Sequence, residues 1–193
     1  EIGEIFEMHM YVGQYLPEWR PTQDYRKTSS ALAELGGGVL FDLCHAIDLS
    51  IAMMGNVESI FAKTNKLSQL EIETEDSASM MFMHANNKLS NIQLNYLDQE
   101  YTWKTRLVGS KGSIEWNYGN GTLTLINSKK EKKVWDLPNN YSRDTLFINQ
   151  FNHWIKVLKE KQIPSVSLDD GINITKIALS AKESSENGKV VEL

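Results

Sequence analysis

The chain has 193 residues, 41% of them hydrophobic and 23% charged, with 25 acids against 20 bases for a formal charge of -5, an ordinary balance for one globular domain with a full core. It excludes the broad basic face that nucleic-acid binding needs, since the one basic cluster, Lys129, Lys130, Lys132 and Lys133 around Glu131, reads as a solvated turn or edge strand. Cys44 is the sole cysteine, no thiols and imidazoles are spaced for a metal, and no apolar run approaches the ~20 residues of a membrane span, so a reducing, cytoplasmic setting is expected.

Phe6, Met8, Met10 and Val12 alternate with Ile5, Glu7, His9 and Tyr11, the two-residue period of a strand with one apolar and one mixed face. Tyr15 to Arg26 follows, with prolines at 17 and 21 that forbid regular structure and more aromatics and arginines than a spacer needs. It reads as an ordered loop. Thr28 to Leu35 predicts a short helix ended by Gly36, and Val39 to Met54 a firmer one stopped by Gly55.

The middle is β-rich. Strands are expected over Val57 to Lys66, Thr74 to Ala85, Leu89 to Tyr101, Thr102 to Val108, Ser113 to Asn117, Thr122 to Asn127 and Lys133 to Asp136, with turn signals between them. Such short links imply antiparallel neighbours. Between Arg143 and Lys161, Leu146, Phe147, Gln150, Phe151, Trp154, Ile155 and Leu158 recur at helical spacing, and a last helix spans about Asp170 to Asn187 before Gly188 and a closing strand, Val190 to Leu193. The order predicts one α+β domain over residues 1–193, a largely antiparallel open β-sheet with helices on one face. Met80 to Met83 and Asn91 to Leu97 carry uncharged side chains on both strand faces. The second sheet face is therefore expected to be covered, by the chain's own loop or tail or, better, by another copy in a homo-oligomer.

The densest chemistry lies in Leu35 to Leu49, where Gly36, Gly37 and Gly38 directly precede a helix carrying Asp42, His45 and Asp48. Glycines let a ligand or another chain approach the backbone closely, and a helix N-terminus supplies free N–H groups, so Gly37 and Gly38 are candidates for substrate contact. At about 100° per residue Leu40, Leu43, Ile47, Ile51 and Met54 form the core stripe, while the two acids flank His45 at neighbouring-turn distance. A nearby carboxylate favours the protonated imidazole and can fix its orientation, as a general acid or base requires. The same spacing equally suits a histidine held by Asp42 for structural reasons. In the preceding loop, Tyr15, Trp19 and Tyr25 are candidates to stack on a sugar ring or base, and Arg26 or Arg20 to fork a phosphate or carboxylate.

Tyr15-Leu16-Pro17 with Trp19, Pro21 and Asp24-Tyr25-Arg26, then Leu35 to His45 with Ile47-Asp48, strongly resembles the C-terminal domain of the glucose-fructose oxidoreductase, inositol dehydrogenase and MocA family. Val108-Gly109-Ser110-Lys111-Gly112-Ser113-Ile114-Glu115-Trp116 is similar to its strand–turn–strand, and Pro164-Ser165, Asp170-Gly171 and Ala178 to Leu193 to its closing helix and strand. The resemblance implies a dihydrodipicolinate reductase-like C-terminal fold that binds substrate and assembles oligomers. It also implies an NAD- or NADP-binding Rossmann domain with a catalytic lysine; this chain carries neither, so it is expected to be a fragment cut near the domain boundary, inactive alone.

By the same resemblance His45 matches the histidine that assists removal of a hydroxyl proton from a sugar substrate, and Asp42 the acid before it. Their three-residue spacing resembles the branch acting on nucleotide-linked sugars and favours orientation of His45 as the role of Asp42. Two other functions remain open at this level: a non-catalytic sugar-binding or oligomerising module, and a glycosidase or lyase that uses the cofactor only transiently.

Overall fold

A computed structural model describes residues 1–138 and 141–193. The apolar alternation expected at the start is β1, Ile5–Gly13, with Met8, Met10 and Val12 at most 3% exposed. Eight further strands follow: β2 Val57–Asn65, β3 Ser77–His84, β4 Lys88–Asn95, β5 Thr102–Gly109, β6 Gly112–Asn117, β7 Thr122–Asn127, β8 Lys132–Asp136 and β9 Val191–Glu192. They form one sheet in the order β8-β7-β6-β5-β1-β4-β3-β2-β9.

The sheet is largely antiparallel, as expected, but β4 and β5 are not neighbours. β1 lies between them, parallel to β4 and antiparallel to β5. The physical reason is burial: the strand whose inner face is most completely apolar takes the centre, where both edges are paired. β3 also begins later than expected. Thr74 to Glu75 instead clasp the loop before the first helix: Thr74 Oγ1 donates to the Ser30 carbonyl at 2.9 Å, and the Glu75 carbonyl accepts from Val39 N–H at 3.2 Å.

The expected helix Val39 to Met54 is two pieces, α1 Val39–Asp42 and α2 His45–Met54, broken at Leu43–Cys44, and the stretch Ala33–Asp42 lies at 41° to α2. Tighter bonds three residues apart, Cys44 N–H to Phe41 O and Ala46 N–H to Leu43 O, accommodate the break. Both pieces keep their apolar side on the sheet, with Leu40, Leu43, Ile47 and Met54 buried. Thr28 to Leu35, expected as one short helix, is two single 3₁₀ turns, Ser29–Ala31 and Ala33–Leu35.

α4, Leu168–Asn187, presents Ala178, Ala181, Ser184 and Ser185 to β2. Small side chains allow the close approach that lets Ser184 Oγ and Ser185 Oγ accept from the otherwise unpaired N–H groups of Ala62 and Thr64, at 3.0 and 2.8 Å. That blunts an edge β9 pairs only at Ser59 and Ile60. α3, Asp144–Glu160, has no buried residue.

The other sheet face is bare. Phe61, Met81 and Met83 are 39 to 42% exposed there, beside a shallow concavity of about 490 Å³ lined also by His9, Tyr11, Lys104 and Arg106. No single helix among the described residues is long and apolar enough to cross a membrane.

Candidate active site

Gly37 and Gly38 serve the fold rather than a ligand. Both are buried. A Cβ at Gly37 would run into the Ser29 and Ser30 carbonyls, and one at Gly38, whose φ is +111°, into the Glu75 carboxylate. Glu75 Oε1 accepts from Leu40 N–H at 3.2 Å, so the helix start that looked open to an anion is occupied from within the chain.

Asp42 is likewise engaged. Its carboxylate accepts a 2.7 Å hydrogen bond from the fully buried Tyr96 hydroxyl, and burial together with Asp42 pushes the Tyr96 pKa far up. Among the described residues no hydrogen bond or ion pair joins the Asp42 carboxylate to His45, so the expected orienting contact is not made.

His45 instead packs its ring on Trp103, 5.1 Å between centroids with planes tilted by 52°. Burial on that side lowers its pKa, more than the Asp42 carbonyl and the charges of Asp42 and Asp48 raise it. The expectation of a carboxylate-stabilised imidazolium is thus reversed: desolvation wins, and at neutral pH the ring is an uncharged proton acceptor.

The loop aromatics face inward. Trp19 donates its indole N–H to the Gln14 carbonyl at 3.2 Å and meets Tyr96 edge-on at 5.2 Å. The Tyr25 hydroxyl accepts from Glu71 N–H at 3.2 Å, and Tyr15 packs half-buried on the core. Among Leu16, Trp19, Tyr25 and Ser30 only about 10 Å³ stays open, room for at most one water. Arg26 is forked on Asp24, at 2.8 and 3.0 Å, with its third arm on Glu71 at 3.1 Å. That pairing holds the Asp24 carboxyl below its usual range. Of the residues expected to touch substrate, His45 and Arg26 are exposed, Arg26 within its ion pairs, and the others are buried or half-buried.

An aromatic wall stands beside His45 that the sequence reading did not single out. Trp103 is 5.5 Å from Trp116 and 6.2 Å from Tyr118, and Tyr118 is 5.7 Å from Tyr101. Strand alternation puts Trp103 and Thr105 on the helix side of β5, and the β5–β6 register sets Trp116 opposite Thr105. All four rings are half-buried, and the shielded Trp103 Nε1 has no hydrogen-bond partner among the described residues. Buried indole N–H groups ordinarily find one. The signal available beforehand was two tryptophans at same-face positions of successive strands. Lys104 and Arg106 project exposed from the other face, where Arg106 reaches Glu115 at 3.5 Å. Among the described residues no three or more His, Cys, Asp or Glu side chains are grouped to hold a metal.

The family model for the GFO/IDH/MocA C-terminal domain matches residues 1–115. The chain belongs to the GFO/IDH/MocA family. Its fold is shared with solved structures of low identity. Levoglucosan dehydrogenase in complex with NADH and L-sorbose superposes with a TM-score of 0.85 at 16% identity, over 99% of this chain and 59% of its own. An oxidoreductase from Agrobacterium radiobacter in complex with NAD+, L-tartaric acid and magnesium gives 0.80 at 21%, over 99% and 57%. Aldose-aldose oxidoreductase from Caulobacter crescentus complexed with glycerol gives 0.82 at 17%, over 100% and 56%. No curated protein matches. This GFO/IDH/MocA domain thus spans less than two thirds of the solved structures it resembles.

Proposed function

We propose that this domain is the substrate half of an NAD(P)-dependent oxidoreductase acting on a sugar or polyol hydroxyl, with His45 as the group that takes the hydroxyl proton. The observation that carries the reading is the neutral, surface-reaching imidazole of His45 against an aromatic wall. An apolar wall takes the C–H face of a sugar ring, and an uncharged imidazole accepts a proton when a carbinol becomes a carbonyl.

The nicotinamide dinucleotide, when bound, supplies the hydride acceptor. Its fit to this chain is poor. Among the described residues the parallel strand pair, β1 and β4, is not joined by a glycine-rich strand–turn–helix, and the space beside Gly38 is filled by Glu75. On this reading the cofactor cradle belongs to a preceding Rossmann domain and this chain alone is inactive. What the chain supplies is Trp103 and Trp116 to orient the ring, and His45 to hold the proton.

Nucleotide-linked sugars are the finer proposal, supported by the Asp42-to-His45 spacing and by Arg20, exposed on the loop and clear of the Asp24–Glu71 fork that holds Arg26. The exposed apolar residues of the bare sheet face support a homo-oligomer formed through it, and the lone Cys44 supports a reducing, cytoplasmic setting.

The test uses the full gene product. His45→Ala should lower turnover by at least ~100-fold while NADH still binds. Wild-type kcat/KM should fall as pH drops below the lowered His45 pKa, because protonation removes the base, and the variant should lose that limb. Retained turnover, or cleavage products without net cofactor reduction, would refute the dehydrogenase reading.

A further inference from the structure

Because β1 lies between β4 and β5, the segment Tyr96 to Tyr101 that joins those two strands has to cross the C-terminal end of β1. Gly13 stands at the crossing, where a Cβ would come within 2.8 Å of Asp98 Cβ and 2.9 Å of the Asn95 amide. The crossing segment carries a ring at each end. Tyr96 holds Asp42, and Tyr101 meets Tyr118 edge-on at 5.7 Å in the aromatic wall.

We infer that the Tyr11 hydroxyl, bonded to Asn95 and Asp98, is a positioning group for the substrate wall: it fastens the crossing segment and so fixes where Tyr101 stands beside Tyr118. Asn95, 6% exposed, accepts at Oδ1 from the N–H groups of Leu97 and Asp98, both at 2.9 Å, and donates from Nδ2 to the Tyr11 hydroxyl at 2.9 Å. The Tyr11 hydroxyl in turn donates to Asp98 Oδ2 at 3.1 Å, which closes a ring of three hydrogen bonds through Asn95, Tyr11 and Asp98. Each member both fills and restricts its neighbour, so the ring has one arrangement.

The rest of the segment is loosely held. Among the described residues no backbone–backbone hydrogen bond secures Leu97 to Tyr101, and Gln99 and Glu100 are exposed. Tyr11 sits on the bare sheet face, where phenylalanine would supply the same apolar area. Its hydroxyl adds only the ring of bonds, which carries a constraint from that face to the wall on the other. From the wall the constraint runs through Tyr118, 6.2 Å from Trp103, to the ring on which His45 packs at 5.1 Å. A wall ring left free must be ordered again when substrate binds, and that cost falls on KM rather than kcat.

The inference rests on the oxidoreductase reading, and the experiment keeps the two apart. In the full gene product, Tyr11→Phe should speed hydrogen exchange at the Leu97 and Asp98 amides about 10-fold, the scale of one lost hydrogen bond. Hydroxyl-radical oxidation of Tyr101 should rise with it, while that of Trp19 stays as in the wild type. Initial rates with D-glucose, D-xylose and UDP-N-acetylglucosamine as probes should show KM raised roughly 3- to 10-fold and kcat within about twofold. Asp98→Asn keeps an acceptor for Tyr11 and should stay near the wild type. Asp98→Ala should match Tyr11→Phe, and the two together should be no worse than either alone. Faster exchange with Tyr101 oxidation and KM unchanged overturns the inference, as does a KM for Asp98→Asn as high as that for Asp98→Ala. A KM rise that comes with a change of mass by light scattering assigns the effect to assembly and overturns it too. If no probe reduces NAD+ or NADP+, the oxidoreductase reading fails, and exchange and Tyr101 oxidation still decide the positioning.

Discussion

Two sets of aromatic side chains flank the bent helix, and they differ in where their polar atoms go. In the loop set Trp19 donates to Gln14, Tyr25 accepts from Glu71, and Tyr96 donates to Asp42. In the wall set Trp103 has a shielded indole N–H with no partner among the described residues, and Trp116 and Tyr118 are half-buried near His45. A ring whose polar handle is satisfied inside the chain is part of the scaffold. A half-buried ring with an idle donor is kept for something outside the chain.

The sharpest way to break this comparison is to cut one ring from each set. Trp19→Ala removes a large side chain packed on Tyr96 and Leu16, so it should destabilise by about 3 kcal/mol and lower Tm by roughly 6–12 °C. KM per folded molecule should stay as in the wild type. Trp116→Leu should do the reverse: Tm nearly unchanged, and KM for the sugar substrate raised roughly 3- to 10-fold, the scale of one ring contact. Thermal melts and initial rates on the full gene product decide it. A KM effect from Trp19 matching that from Trp116 would erase the distinction.

The two buried-side histidines show the same contrast. His84 is enclosed: its Nδ1 lies 2.8 Å from the Gly55 carbonyl and its Nε2 2.7 Å from Ser90 Oγ. Burial, helped by Lys88, lowers its pKa. The folded state thus disfavours the proton that the unfolded chain takes up near pH 6.5. Stability is full above about 6.5 and falls as pH drops below it. Urea midpoints at pH 7.5 and 5.5 measure this. His84→Gln should remove part of the difference, and His45→Ala, whose ring burial also holds below its usual pKa, a further part.

Much of this was readable beforehand, and what escaped has a common cause. Alternation at Met8, Met10 and Val12 fixed a strand and its inner face because the period is local. It carries no information about partners, so β1 between β4 and β5 was not legible. The spacing of Asp42 and His45 was right along the chain but presumed an unbroken helix. The bend at Leu43–Cys44, and the capture of Asp42 by Tyr96 from 54 residues away, are decided by packing. Likewise Trp103 and Trp116 become one wall only through the β5–β6 register, and Gly38 becomes a packing glycine only because Glu75 returns to it.

Arg26 gives the smallest and most discriminating prediction. A planar fork beside two aromatics is what recognition of a substrate phosphate would use. Here Asp24 takes two of its nitrogens and Glu71 the third. All three residues lie at the surface, where such a network is screened and contributes little to folding. Arg26→Ala should therefore leave Tm within error of the wild type and change KM less than about twofold, at low salt as at high. Substrate phosphate can recruit the guanidinium only by displacing two carboxylates already bound to it. A KM rise of tenfold or more at low salt, collapsing at high salt, would show that this exchange takes place and would move Arg26 from the scaffold side of the comparison to the substrate side.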